Sequence, residues 1–253
     1  MKLAAHLDIR LGAVVETLEW GPWGVWAHTA DGRVYRGEQA IVALPLGVLR
    51  AGQVRFVPEL PPAKQTALEQ LGLTDALKLF FYFEQPVLPP GIAELYLPGA
   101  RLEEWWSSAQ GHGLRGEVLT ALATGEKART LLALPEAQAL QTALETLRQA
   151  LGRPDLTPCK ARLVHWRDDP YTLGAYSKAS VGAARARSLL AHPVQGRLFF
   201  AGEHTAPNAW AATVHGAYAS GRRAAQEVLQ LRGPMPPIRQ RPQTLGPAAF
   251  APR

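Results

Sequence analysis

Residues Arg197 to Leu231, RLFFAGEHTAPNAWAATVHGAYASGRRAAQEVLQL, leave the chain little freedom in how it folds. The apolar run Leu198-Phe199-Phe200-Ala201 predicts a fully buried strand. Gly202 and Glu203 end it, a polar loop containing Trp210 follows, and a helix begins near Thr213 and Val214. Along that helix Gly216, Ser220 and Ala224 recur every fourth residue, and so do Ala217, Gly221 and Ala225. The result is a face of small side chains that a neighbour can approach closely. Each glycine costs about 1 kcal/mol of helix propensity, so the close approach has a purpose. A strand end, an acid and a helix N-terminus together are one way a cofactor site is built. The same residues equally suit tight helix-on-sheet packing with no ligand, and on these features alone the two readings stand level.

Ahead of this stretch the sequence alternates β and helical patterns. Residues 9–49 read as β-structure, opened by Ile9, Leu11 and Val14-Val15, with a hairpin turn at Asp31-Gly32. Ala40 to Leu44 reads as a buried strand stopped by Pro45. Arg55 to Pro62 reads as a proline-rich loop, and Ala63 to Leu71 as a helix anchored by Leu60 and Leu68 and stopped by Gly72. The aromatic run Ala76 to Phe83 is a strand with one anomalous member, Lys78. A lysine buried there needs a carboxylate, a water or a function; at a strand edge it would simply reach solvent. Pro86 to Pro98 reads as loop, Val118 to Ala123 as a strand, and Ala137 to Leu151 as an amphipathic helix. Its leucine stripe is Leu140, Leu144, Leu147 and Leu151, opened by Pro135 and closed by Gly152. Lys160 to Trp166 is a further strand, and His112, between two glycines, is a loop residue.

Composition removes several classes of function. The single cysteine, Cys159, excludes an internal disulfide framework and a cysteine zinc site, and no histidine or carboxylate pair has metal-ligand spacing. The net charge of +6 comes from scattered arginines, not a dense basic run, which argues against a nucleic-acid partner. No run reaches transmembrane length and no signal peptide opens the chain, so no membrane partner and a cytoplasmic setting are expected.

LFFAGEHT followed by ATVHGAY and SG resembles the C-terminal signature of flavin-dependent amine oxidases, the family of monoamine and polyamine oxidases and flavin histone demethylases. IVALPLGVL, FVPELPPAKQTALEQLG with its following lysine, and the W…DPY…GAYS pattern are similar to other segments of that family, so the resemblance spans about residues 5 to 232. It implies non-covalent FAD, because Ala175 stands where monoamine oxidases carry the cysteine that bonds to flavin. It places Val14 at the adenine, Trp166 near the flavin, and Gly202, Glu203, Thr213 and Val214 at the ribityl chain and ring edge. Lys78 would hold a water beside flavin N5, as the catalytic residue. Tyr176 and Thr213 would face each other across a substrate cage, with Trp210 as a further wall. Read without the resemblance, Val14, Trp166 and Tyr176 are equally ordinary core and rim residues.

The fold class implied is mixed α/β (α+β), a partial FAD-binding domain interleaved with an amine-oxidase-like substrate domain. Residues 1–49 and 172–232 form the first, 50–171 the second, and 233–253 a flexible proline-rich tail. The family's opening G-x-G-x-x-G turn, which holds the FAD pyrophosphate, is absent from this sequence. The expectation is therefore an amine oxidase lacking its N-terminal portion and completed by another chain or by a homo-oligomer. The implied reaction is oxidation of a small-molecule amine to an imine, with hydride passing to flavin and dioxygen leaving as hydrogen peroxide. The alternatives are a non-catalytic or partner-dependent module of a split oxidase, and a flavoenzyme of the L-amino-acid oxidase type.

Overall fold

The computed structural model describes residues 4–109, 113 and 115–231 of the 253. His112 and the 233–253 tail lie outside the described residues. The chain divides into two compact units: one built from the residues up to Gly72 and from Ser177 onward, the other from Leu73–Tyr176. The sequence predicts divisions at 49 and 172; in the structure residues 50–72 lie in the first unit and residues 172–176 in the second.

In the first unit, Val15–Gly21, Gly24–Thr29 and Val34–Gly37 form an antiparallel meander. The strand begins at Val15, not at Ile9, and Ile9 and Leu11 are exposed. Arg55–Val57 adds a fourth strand, parallel to Val15–Gly21, where the sequence predicts loop. Its prolines flank the strand and do not interrupt it, and Trp20 Nε1 ties it down by donating to the Pro58 carbonyl at 2.8 Å. A second sheet has two parallel strands, Ala40–Val42 and Leu198–Phe200. Leu198, Phe199 and Phe200 are fully buried, whereas Ile41 is half-exposed, so only part of the predicted 40–44 strand is buried.

The helix Pro62–Gln70 buries Lys64 and Ala67, with Leu68 only partly covered. Gly72 does not stop it: Leu71 turns to extended backbone, and Leu71–Thr74 is a strand containing that glycine. The helix Ala186–Ala191, which no sequence signal marks, packs against Pro62–Gln70. The last helix, Val214–Gln230, is capped by Thr213, whose Oγ1 accepts the Gly216 amide at 3.0 Å.

The second unit is a five-stranded antiparallel sheet in the order Lys160–His165, Ala76–Phe83, Glu117–Thr124, Glu104–Ser107, Glu94–Tyr96. The strand at Glu94–Tyr96 falls inside the predicted 86–98 loop, and the helix Gly125–Leu132 is unmarked in the sequence. The alternation of Ala76–Phe83 sends Leu77, Leu79, Phe81 and Phe83 to one face. There they meet Leu119, Ala121, Trp105 and the buried residues of Gly125–Leu132 and Glu136–Leu151, among them Leu131, Ala139, Ala143 and Leu147. Each large apolar side chain buried there contributes roughly 1.5–3 kcal/mol. Gly152, in the left-handed conformation at φ 63, ends Glu136–Leu151 as its sequence predicts.

Candidate functional site

In the first unit the predicted residues gather around Glu203, in a short turn directly after the buried strand. Its Oε1 accepts the Ser177 amide at 2.9 Å, and its Oε2 accepts Ser177 Oγ at 2.6 Å and the Ala212 amide at 2.6 Å. Ala212 sits at φ 61, a left-handed conformation an alanine rarely adopts. The carboxylate thus fixes the loop immediately before the last helix in that shape. Behind it, Arg187 donates to Ser177 Oγ at 2.5 Å and to the Ser177 carbonyl at 3.3 Å, and lies 3.9 Å from Glu203 Oε2. Burial pulls the Arg187 guanidinium below its ordinary value, and Glu203 opposes that shift. Gly202 donates its amide to Ser220 Oγ at 2.8 Å.

Two further buried groups support this corner. His204 is pressed against Gly202, its Nε2 has no hydrogen-bond partner, and burial holds its imidazole down at about 4. Lys64 donates to the Leu190 carbonyl at 2.6 Å and the Leu189 carbonyl at 3.2 Å, with the Phe200 ring centroid 3.9 Å from its Nζ. Burial lowers its ammonium to about 7, against the two carbonyls and the ring, which favour the charged form.

The two small-residue faces of the last helix have different fates. Gly216, Ser220 and Ala224 are buried, and a Cβ at Gly216 would strike the Trp210 carbonyl. Gly221 meets nothing within 4 Å, and around it Val214 and Tyr218 are exposed. The first turn carries no acidic residue of its own, although the Glu203 carboxylate sits on the Ala212 amide just before it. Trp210 is half-exposed in a short turn, edge-on to His215 at 6.0 Å between centroids. Val14 lies at the start of the meander, partly exposed, and its carbonyl accepts the Ala30 amide at 2.9 Å.

In the second unit Lys78 lies on the sheet face opposite the core, whereas Trp166 follows the edge strand Lys160–His165 and Tyr176 begins the strand Tyr176–Ala179. The face is partly covered: Thr120, which shares it with Lys78 and Leu122, is fully buried. Lys78 is exposed on it, in a central strand and not at an edge. The core residues on either side of it point the other way, so it needs no buried partner. Its Nζ lies 5.4 Å from the Trp106 ring centroid. Leu122 pairs Lys78 on one side and Glu104 on the other, so Lys78, Leu122 and Glu104 form one row across three strands. Tyr176 is half-buried; burial pushes its phenol above the ordinary value, and the Glu104 carboxylate adds to the shift. Trp166 is half-exposed, and its carbonyl accepts Thr172 Oγ1 at 2.7 Å and the Gly174 amide at 3.1 Å. Gly174, at φ 151, packs against Leu73, and an added Cβ would meet a Leu73 methyl at 2.8 Å.

The structure therefore groups Gly202, Glu203, Trp210, Thr213 and Val214 in one unit, and Lys78, Trp166 and Tyr176 in the other. Sequence reasoning missed Arg187, Ser177, His204, Trp106 and Glu104. A buried arginine leaves no signal in a run such as ARARSLL, and the sequence reading gives no strand at Glu104–Ser107, so Trp106 and Glu104 had no assigned face.

The sequence profile of the family described as Flavin containing amine oxidoreductase matches residues 2–229. Protein FLOWERING LOCUS D of Arabidopsis thaliana is 35% identical over 239 residues, covering 90% of this chain and 30% of the relative. Polyamine oxidase 4 of Oryza sativa subsp. japonica is 35% identical over 228 residues, covering 89% of this chain and 46% of the relative. Among solved structures, wild-type putrescine oxidase bound to putrescine matches with a TM-score of 0.81 at 21% identity, over 90% of this chain and 51% of that one. The chain thus spans about half, or less, of the proteins it matches.

Proposed function

Because the chain belongs to the flavin containing amine oxidoreductase family, with non-covalent FAD as its cofactor, we propose that it takes part in oxidising a small amine to an imine. The observation that carries this reading is the sheet face opposite the core, on which Lys78 stands over Trp106, with Tyr176 under the influence of Glu104. Flavin, when bound, supplies the two-electron acceptor for the reaction, with dioxygen as the final oxidant. The residues present fit such a group: Thr213 and Val214 open a helix whose own first turn has no acidic side chain, so its N-terminal amides suit an electron-rich edge. Glu203 acts there by shaping the Ser177 and Ala212 backbone. Lys78 holds a water that receives the proton leaving the amine, and Trp106 and Tyr176 flank the substrate carbon with aromatic surface. Trp166 braces the loop that carries Tyr176.

A titration of the purified chain with FAD, followed in the visible flavin bands and then by anaerobic addition of amine, tests the proposal. The expected result is a perturbed flavin spectrum that bleaches with amine and recovers in air with hydrogen peroxide. Free-flavin bands at every FAD concentration would reject it. A second reading, a module that works only once a further polypeptide or another copy is docked, is favoured by one observation. Ile41 on the two-stranded parallel ladder, and Val214 and Tyr218 on the helix of Gly221, are each exposed apolar side chains of the first unit.

A further inference from the structure

The first unit holds more positive charge than the corner around Glu203 uses. Lys64, Arg187 and Arg223 gather within it against two carboxylates, Glu203 and Glu227. Arg223 donates to the Phe200 carbonyl and, at 3.2 Å, to the Thr205 carbonyl, and its Nε lies 3.5 Å from Glu227 Oε1. Burial pulls both guanidinium groups below their ordinary value, and the Arg223 charge helps to lower the Lys64 ammonium. A further negative charge nearby therefore stabilises all three cations. Arg187 and Arg223 also share the wall of a cavity of about 440 Å³ that opens to solvent and lies wholly within the first unit. Arg187 uses two of its N–H donors on Ser177, and a guanidinium carries more. Asn208, exposed, stands at the cavity's rim with its Nδ2 3.4 Å from the Ala184 carbonyl. His192 adds an imidazole, and Ala191 and Pro207 give the cavity an apolar wall.

We infer that this cavity binds a small organic oxyanion, a carboxylate or a phosphate monoester, with its charged end toward Arg187 and Arg223 and its carbon skeleton on Ala191 and Pro207. The volume lies in the range of small-molecule sites. Guanidinium groups meet the oxygens of such an anion with paired N–H donors, and the excess of positive charge selects an anion over an amine. The oxidation proposed above makes no use of this cavity, so the two readings stand or fall separately.

The test is a calorimetric titration of the purified chain, without flavin, at constant ionic strength. The probes are benzoate, phenyl phosphate and benzamide, which is neutral and close in shape to benzoate. At least one of the anions should bind about tenfold more tightly than benzamide, the scale of a hydrogen bond to a charged group. Tighter binding of phenyl phosphate identifies a phosphate monoester as the ligand class, and tighter binding of benzoate a carboxylate. Asn208→Asp sets a carboxylate at the rim and should weaken the preferred anion about tenfold while leaving benzamide unchanged. Because Asn208 is exposed, that variant keeps the fold, which circular dichroism checks. No binding of either anion, equal affinity for the anions and benzamide, or an unchanged anion affinity in Asn208→Asp would each overturn the site and leave the flavin reading untouched.

Discussion

The two units treat charge in opposite ways. The first buries Lys64, Arg187, His204 and Glu19, and uses several of them to hold backbone in place. The second has an almost wholly apolar core; its buried Glu117 caps the Val87 and Leu88 amides, while Lys78 and Glu104 stand on the outer face. In one unit polar groups are the scaffold. In the other the scaffold is leucine, alanine and aromatic packing, and polar groups are left free to meet a ligand. A site built the first way is rigid and pH-sensitive, whereas one built the second way can change its side chains without unfolding.

The sharpest break of this contrast is a core truncation. Phe81→Ala removes a buried ring tilted against Trp105 at 5.8 Å between centroids and should cost about 4 kcal/mol, read from urea unfolding. A loss under 1 kcal/mol would mean that packing does not carry the second unit. Next in size is an acid effect confined to the first unit. The folded His204 titrates near 4, below its unfolded value, so the unfolded chain binds the proton first. Stability is full above about pH 6.5 and should fall by about 3 kcal/mol as the pH drops to 4. His204→Leu should flatten that slope, and equal slopes in parent and variant would assign the effect elsewhere.

A smaller effect has the opposite sign. Gly221→Ala, on the open helix face, should raise stability by about 1 kcal/mol, whereas Gly216→Ala, on the buried face and against the Trp210 carbonyl, should lower it. If Gly221→Ala instead weakens FAD binding, that face is a contact surface and not an idle one. The smallest effect on stability belongs to Lys78→Met, within about 0.5 kcal/mol for an exposed site. The same variant should slow amine oxidation by about a hundredfold, as seen in steady-state peroxide release.

Much of the scaffold was legible because strong periodicity leaves few options. The strand Ala76–Phe83, the helix Glu136–Leu151 and the strand-to-helix passage through Thr213 all follow their sequence patterns. Short strands beside prolines, Arg55–Val57 and Glu94–Tyr96, were not, since each depends on a partner strand that local sequence cannot announce. The site was legible as residue types but not as relations. Lys78 stood out in its strand, yet its freedom from the core follows from parity, and its neighbour Trp106 comes from a strand two places away. Arg187 and Ser177 gained their roles only through contact with Glu203.

The parallel pairing of Ala40–Val42 with Leu198–Phe200 also sets a schedule for synthesis. The first strand leaves the ribosome long before its partner exists, while residues 73–176 emerge between them as a continuous stretch with a core of their own. The second unit can complete itself while the first still waits, with the Ala40–Val42 edge exposed during that interval. A cell making this protein must shield that edge, and slow or chaperone-poor translation should lower its soluble yield before any change in the finished fold is felt.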